Sequence, residues 1–554
     1  MPISYHRAFR IFCIYFFLLT GVTHLHGQPA RKKVFTRQDT LRGTVTPERA
    51  WWDVSYYHIE VTPDYNQKFI HGVTTIVFNV VNPGQTLQLD LQEPLSIDSA
   101  LYNGHVIPLR RDGNVYFLKF SSLFAVNDRV SIRIVYSGMP RQAINPPWDG
   151  GWIWKKDDKD RPWMTVACQG LGASVWYPCK DHQSDESDSS ALSITVPNDL
   201  VGVANGRLRS VRKNNNNTST YTWVVDSPIN NYNIIPYIGH YENWNEPYVG
   251  EKGLLDCSYW VLDYNMEAAK KQFVQTKEML QCFEHWFGPY PFYKDGFKLV
   301  EAPHLGMEHQ SAIAYGNNFA NGYLGKDLSS SGWGLRWDYI IIHESGHEWF
   351  GNNITTKDIA DMWVHEGFTD YSETIFTGWK FGEEAGNDYL VGLRKSIQNR
   401  EPIIGPYNVN QEGSNDMYYK GASLIHNIRH IIHDDEKFRS MLREMNTVFY
   451  HQTVTSAQIE KFISETSGID FKKVFDQYLR TTQVPVMEYK IKKNKVSYHW
   501  INCIPGFNMP LRVQWHGSHL LQPTEEWKTL RTSISTTEPF VADRNFYITT
   551  RVAE

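Results

Sequence analysis

The hydrophobic period of this chain switches from two to about 3.6 and then back again, which limits the possible folds more than any single residue does. Across residues 52–241 apolar and polar positions alternate, as in Leu87, Leu89 and Leu91, in Ile132, Ile134 and Tyr136, and in Leu192, Ile194 and Val196. Such spacing lines one face of a strand with apolar side chains. Turn formers separate the runs, among them Asn82-Pro83-Gly84 and the asparagines at 214–217. From Met266 onward, Phe273, Met279, Leu280 and Phe283 follow helical spacing up to a stop at Gly288-Pro289. Helices are expected to dominate from there to about Arg480, one of them opened by a capping box of Thr455 and Gln458. After Pro485 the alternation of 486–489 and 496–500 is strand-like again. The expected fold is multidomain α+β. It comprises a β-sandwich-like domain over 51–245, a mostly helical domain over 246–484 and a small β domain over 485–554. With 554 residues, 41% of them hydrophobic, the chain can bury several cores. Its formal charge of −5 fits neither a basic nucleic-acid binder nor an acidic disordered tail.

The first residues differ from the rest. His6, Arg7 and Arg10 precede an apolar run over 11–22, followed by small and polar residues ending at Gly27. This is the pattern of a signal peptide over 1–27, leaving 28–50 as a linker. The run is well short of the roughly 20 apolar residues a bilayer span needs, and no later stretch approaches that length. The expected product is exported, periplasmic or extracellular, and without stable membrane insertion after cleavage. Apart from Cys13 in the apolar run, the cysteines are Cys168, Cys179, Cys257, Cys282 and Cys503, so at least one stays unpaired. None forms a CxxC, which argues against a thiolate zinc site or a redox motif; Cys168 with Cys179 is a possible bridge.

Within 335–350, a helical stretch carrying Ile340, Ile341 and Ile342 and ending at Gly351-Asn352, lies His343-Glu344-Ser345-Gly346-His347. Histidines four apart leave one helix face together and can share a tetrahedral zinc ion, with Glu344 placed to reach a water on that ion. The ordinary alternative is an amphipathic helix with surface histidines. A catalytic zinc keeps three protein ligands and one open position. Glu366, in Trp363-Val364-His365-Glu366-Gly367-Phe368, is the best third ligand. Glu373 lies two turns further along the same face. It either accepts the second N–H of a ligand histidine or is a solvated helix carboxylate. Zinc is the default metal for two histidines and a carboxylate, although cobalt or manganese can occupy such a set.

Taken together, these residues resemble the aminopeptidase N and leukotriene hydrolase family of zinc peptidases, whose pattern is HExxH, eighteen residues, then Glu; His347 and Glu366 fit that spacing. His347-Glu348-Trp349-Phe350-Gly351-Asn352 is similar to the family's H-x-W-F-G-N. Gly306-Met307-Glu308 matches part of its G-x-M-E-N, and Tyr418-Tyr419-Lys420-Gly421 matches its Y-x-K-G. Gln169, upstream of Pro178-Cys179, stands where the family carries a glutamine near the substrate amine. Leu305, His309 and His365 depart from the family pattern and bear on the shape of the first specificity pocket. The resemblance spans about 52–488 and implies a thermolysin-like helical catalytic domain in a three-domain member.

What the resemblance implies is an exported zinc aminopeptidase that removes a neutral or basic first residue from oligopeptides with free N-termini, with one Zn2+ per chain activating the attacking water. His343, His347 and Glu366 would hold the metal, Glu344 would be the general base, and Tyr418 would donate to the oxyanion. Glu308 and Gln169 would read the α-ammonium beside Gly306 and Met307. Tyr419 is the packing member of its pair. Two alternatives remain open, a zinc endopeptidase and a catalytically silent peptide- or glycan-binding protein. Epoxide hydrolysis is weaker, because the aspartate that a family epoxide hydrolase carries would fall on Asn410.

Overall fold

The computed structural model describes residues 34–532 and 538–554, so the signal-peptide reading of 1–27 lies outside the described residues. Arg37–Glu554 forms one compact unit. Part of the stretch read as a linker is built into it: helices Arg37–Gly43 and Pro47–Ala50 precede the first strand. The reason is a buried ion pair, Arg49 Nη2 to Asp90 Oδ2 at 2.6 Å, with neither side chain more than 1% exposed. Two charges leave water together only when each satisfies the other.

The alternating segments form sheets as the period predicts. An eight-stranded sheet runs Arg207–Lys213, Thr218–Val225, Ser189–Pro197, Trp52–Asp64, Phe69–Val80, Arg129–Gly138, Ser96–Tyr102, His105–Val106 in spatial order. Burial along Phe69–Val80 alternates almost residue by residue, which fixes the register Ile59 to Thr74 against Trp52–Asp64. A three-stranded sheet containing Gly84–Asp90 and a four-stranded sheet containing Pro162–Ala167 share one apolar core with it.

The chain then enters a five-stranded sheet of Tyr241–Asn245, Cys257–Leu262, Phe297–Glu301, Ile313–Tyr315 and the short edge strand Gly306–Met307. Strand pairing thus crosses the expected boundary at 245, and Phe297–Glu301 and Ile313–Tyr315 are strands inside a region expected to be mostly helical. Phe297–Glu301 is buried at every residue, so no alternation marks it in the sequence. Helices follow: Tyr339–Gly346, Trp363–Phe381, Glu383–Leu393, Tyr419–Ile432, Asp435–Val448, Ser456–Ser467 and Lys472–Arg480. The capping box of Thr455 and Gln458 opens Ser456–Ser467. The C-terminal strands form a four-stranded and a three-stranded sheet, and their Met487 and Trp500 belong to the same apolar core as the helices. Among the described residues no helix is long and apolar enough to cross a membrane. The candidate Cys168–Cys179 bridge is not formed. Both are buried free thiols on separate anchors, Cys168 Sγ donating to Tyr232 O at 3.4 Å and Cys179 bridging backbone-to-backbone with Asp90.

Candidate active site

The helix carrying His343 is shorter than the 335–350 stretch that suggested it. It starts at Tyr339 because the Asp338 carboxylate accepts from the N–H groups of Ile340 and Ile341, and all eight of its residues are buried. His343 and His347 stand one turn apart with ring centroids 5.0 Å from each other. Their Nδ1 atoms are engaged: His343 Nδ1 lies 2.6 Å from Glu373 Oε1, and His347 Nδ1 lies 3.0 Å from Phe350 O and 3.1 Å from Thr369 Oγ1. Both Nε2 atoms therefore turn the other way, 3.7 and 3.4 Å from Glu366 Oε2. That oxygen is buried and has no hydrogen-bond partner among the described residues.

Three donors so spaced fit a zinc ion. Ligand bonds of about 2.0–2.1 Å in tetrahedral geometry separate the donors by about 3.3 Å. Two other groups of potential ligands lie within 4.8 Å of one another, His343-Glu344-His347 and His343-Asp370-Glu373. Glu373 is already taken, by His343 and by the Tyr389 hydroxyl at 2.5 Å, a contact that can orient the imidazole. Asp370, fully buried and 3.7 Å from His343 Nδ1, stands behind the same ring.

Glu344 has no hydrogen bond among the described residues, and burial pushes its carboxyl up to about 7. It lies against the edge strand because position 306 is glycine: a Cβ there would come within 2.6 Å of Glu344 Oε1. Met307 and Glu308 continue that edge, both buried. Glu308 Oε1 accepts from Gln169 Nε2 at 2.8 Å and from the Tyr232 hydroxyl at 3.0 Å. The Gln169 amide also donates to Glu366 Oε1 at 3.3 Å, so its own oxygen is left without a partner among the described residues.

Tyr418 immediately precedes Tyr419–Ile432, its ring stacked 6.4 Å from His343. Two glycines bring it there. A Cβ on Gly421 would stand 3.0 Å from Gly367 Cα, so the two helices cross backbone to backbone beside Glu366. Lys420 faces away and donates to Thr481 O at 2.8 Å. Of the residues that depart from the family pattern, His309 is buried with Nδ1 2.6 Å from the Tyr237 hydroxyl, and His365 Nε2 accepts from Thr356 N at 2.9 Å. Leu305 stays partly exposed. Asn410 donates to Gly170 O at 3.0 Å, a structural bond. Tyr232, Tyr389, Thr369 and Asp370 escaped the sequence reading, since each meets the site through a fold contact and carries no motif of its own.

Fold and site together define a protein of the HExxH-plus-glutamate metal-centre class, built on a β-rich domain, a helical domain and small C-terminal sheets. The family descriptions "Peptidase M1 N-terminal domain" and "Peptidase family M1 domain" match residues 54–232 and 271–478, together well over half of the sequence. The chain belongs to peptidase family M1. It is 24% identical over 324 residues to leukotriene A-4 hydrolase of Xenopus laevis, covering 55% of this chain and 50% of that protein. It is 24% identical over 443 residues to aminopeptidase B of Mus musculus, covering 76% and 61%. The chain thus spans about half to three fifths of these curated relatives. An M1 zinc metallopeptidase from Deinococcus radiodurans, solved as a mutant bound to a Tyr-Ser-Ala substrate, shares the fold. Its TM-score is 0.65 at 19% identity, over 79% of this chain and 97% of that one.

Proposed function

We propose that this chain is a zinc aminopeptidase that hydrolyses the first peptide bond of oligopeptides with a free N-terminus. The observation that carries the reading is the Gln169 amide, which ties Glu308 to Glu366 and so holds an anionic anchor at a set distance from the metal ligands. His343, His347 and Glu366 would hold one ion. When bound, zinc would lower the pKa of its water to about 7 and polarise the scissile carbonyl.

The remaining steps belong to the chain's own groups. Glu308 and the free oxygen of Gln169 accept from the α-ammonium by charge-assisted hydrogen bonds, which sets the first peptide bond beside Glu344. The Glu344 carboxylate takes the proton of the attacking water and delivers it to the leaving amine. The Tyr418 hydroxyl, with no hydrogen bond among the described residues, donates to the oxyanion as the carbonyl carbon becomes tetrahedral.

The test is mass spectrometry of the products from one short peptide, offered with a free and with an acetylated N-terminus. Loss of single residues from the free form alone is the expected result; internal cuts in both forms would leave a zinc endopeptidase. Metal analysis should find one zinc per chain, and its absence would favour a silent binding protein. Export to a periplasm or the extracellular space is also proposed, from the 1–27 pattern. N-terminal sequencing of protein recovered outside the cytoplasm should begin close to Gln28.

A further inference from the structure

Gln169 stands at the head of a tight turn over 168–174 whose shape is set from behind. Gly172 N donates to Cys168 O and Leu171 N to Gln169 O, each at 2.7 Å. Gly170 and Gly172 adopt φ of +69° and +100°, a backbone that glycine takes without the strain a side chain would bring. Gln92 Nε2 donates to Leu171 O at 2.9 Å and to Ser174 Oγ at 3.1 Å. The Asp181 carboxylate closes the turn: its Oδ2 accepts from Ser174 N at 3.0 Å and from the Ser174 hydroxyl at 2.5 Å.

Asp181 is 4% exposed, and its one ion-pair partner among the described residues is Arg42, with Nη2 3.2 Å from Oδ1. The same guanidinium donates through Nη1 to Asp181 O. It also lies against the turn itself, since a Cβ on Gly172 would come within 2.1 Å of Arg42 Nη2. Arg42 belongs to the helix Arg37–Gly43 ahead of the first strand, and the end of that helix is pinned in its own right. Arg42 O accepts from Arg49 Nη1 at 3.1 Å, Leu41 O accepts from Gln88 Nε2 at 3.0 Å, and the Thr44 hydroxyl donates to Asn408 O at 3.0 Å. The guanidinium is therefore held in one place against Gly172 and Asp181. Without it Asp181 would be a buried carboxylate lacking a counter-charge, the space behind Gly172 would open, and the grip on Ser174 would relax.

On the reading that Glu308 and Gln169 receive the substrate α-ammonium, we infer that Arg42 is a positioning residue for amine recognition: it holds the turn that aims the Gln169 amide at Glu308 and Glu366. The segment ahead of the first strand thereby takes part in substrate choice from outside the site. The metal ligands are carried by other elements, the helix Tyr339–Gly346 with His347 at its end and the helix Trp363–Phe381. Loss of Arg42 should therefore cost affinity for the amine and leave the metal in place.

The test is calorimetric binding of two metal-chelating ligands to the zinc-loaded full chain, L-leucine hydroxamate and isocaprohydroxamate, which lacks only the α-amine. Wild type is compared with Arg42→Gln and Arg42→Lys. Wild type should prefer the amine-bearing ligand by about tenfold or more. Arg42→Gln should bring that preference below about threefold by weakening the amine-bearing ligand alone, while chelator competition reports unchanged affinity for zinc. Arg42→Lys, which keeps the charge but loses the two-nitrogen contact, should fall between the two. It decides alone if Arg42→Gln does not fold, and a full wild-type preference in it would then overturn the inference. A merely structural role would weaken both ligands equally; that result, or an undiminished preference in Arg42→Gln, would overturn it as well. A wild type that binds both hydroxamates equally would sink the amine-anchor reading itself, and the role of Arg42 with it.

Discussion

Among the described residues Glu366 Oε2 has no hydrogen-bond partner, and the Nε2 atoms of His343 and His347 lie 3.7 and 3.4 Å from it. Tyr418, whose hydroxyl has no hydrogen bond among the described residues, stacks its ring 6.4 Å from that of His343. If it stabilises charge that develops only in the transition state, Tyr418→Phe should lower kcat on a free peptide about 10²–10³-fold while KM moves less than about threefold. Steady-state kinetics on pure protein would show it; a rise in KM with kcat intact would mean a packing or binding role. Glu373 acts one bond further out, through the 2.6 Å contact with His343 Nδ1. Glu373→Gln should weaken zinc about 10–100-fold, measured by chelator competition. Tyr389→Phe, which removes the 2.5 Å donor to the same carboxylate, should shift affinity the same way by less.

Elements position these residues by close approach. At the crossing of Gly367 and Gly421 a β-carbon would meet the facing backbone at 3.0–3.2 Å, and this close approach brings the start of the helix after Tyr418 beside the helix bearing Glu366. The strand Phe297–Glu301 ends in a buried carboxylate, whose oxygens accept from Leu262 N at 2.8 Å and Asn265 Nδ2 at 2.7 Å. Burial raises Glu301 from 4.5 to about 7, outweighing those donors, and Asp158 and Asp157 nearby add to the rise. The folded state therefore holds this proton more tightly than the unfolded chain. Its contribution to stability is full below about pH 4.5 and is lost as pH rises through about 7. Glu301→Gln removes the titration. The Tm of wild type minus that of the variant should fall between pH 5 and pH 7.5 in calorimetric scans; a difference that does not change with pH would place the Glu301 proton elsewhere.

At the scale of the whole molecule, the segment before the first strand is anchored by the Arg49–Asp90 pair, and the C-terminal sheets by Arg394, whose guanidinium donates to Arg544 O and Asn545 O at 2.6 Å. Arg49→Met would leave Asp90 charged, buried and without its partner, at a cost of about 3–5 kcal/mol. Combining it with Asp90→Asn should recover much of that loss, readable as the shift of the urea midpoint in a double-mutant cycle. The sequence by itself determined the β-rich, helical and small β regions, the helix turn that carries His343 and His347 on one face, and the offset of Glu366 from them. Each of these is written in spacing along one element, because side-chain direction repeats with the local backbone period. It left Phe297–Glu301 unseen, since a strand buried on both faces has no alternation to read, and it took the helices at 37–50 for linker because their anchor, Asp90, lies on another element. Only the tertiary structure decided that Gln169 and Tyr232 meet at Glu308, and that Tyr418 stacks on His343. Those meetings depend on strand pairing and on two helices touching at glycine, contacts between segments far apart in the chain whose partners no local pattern names.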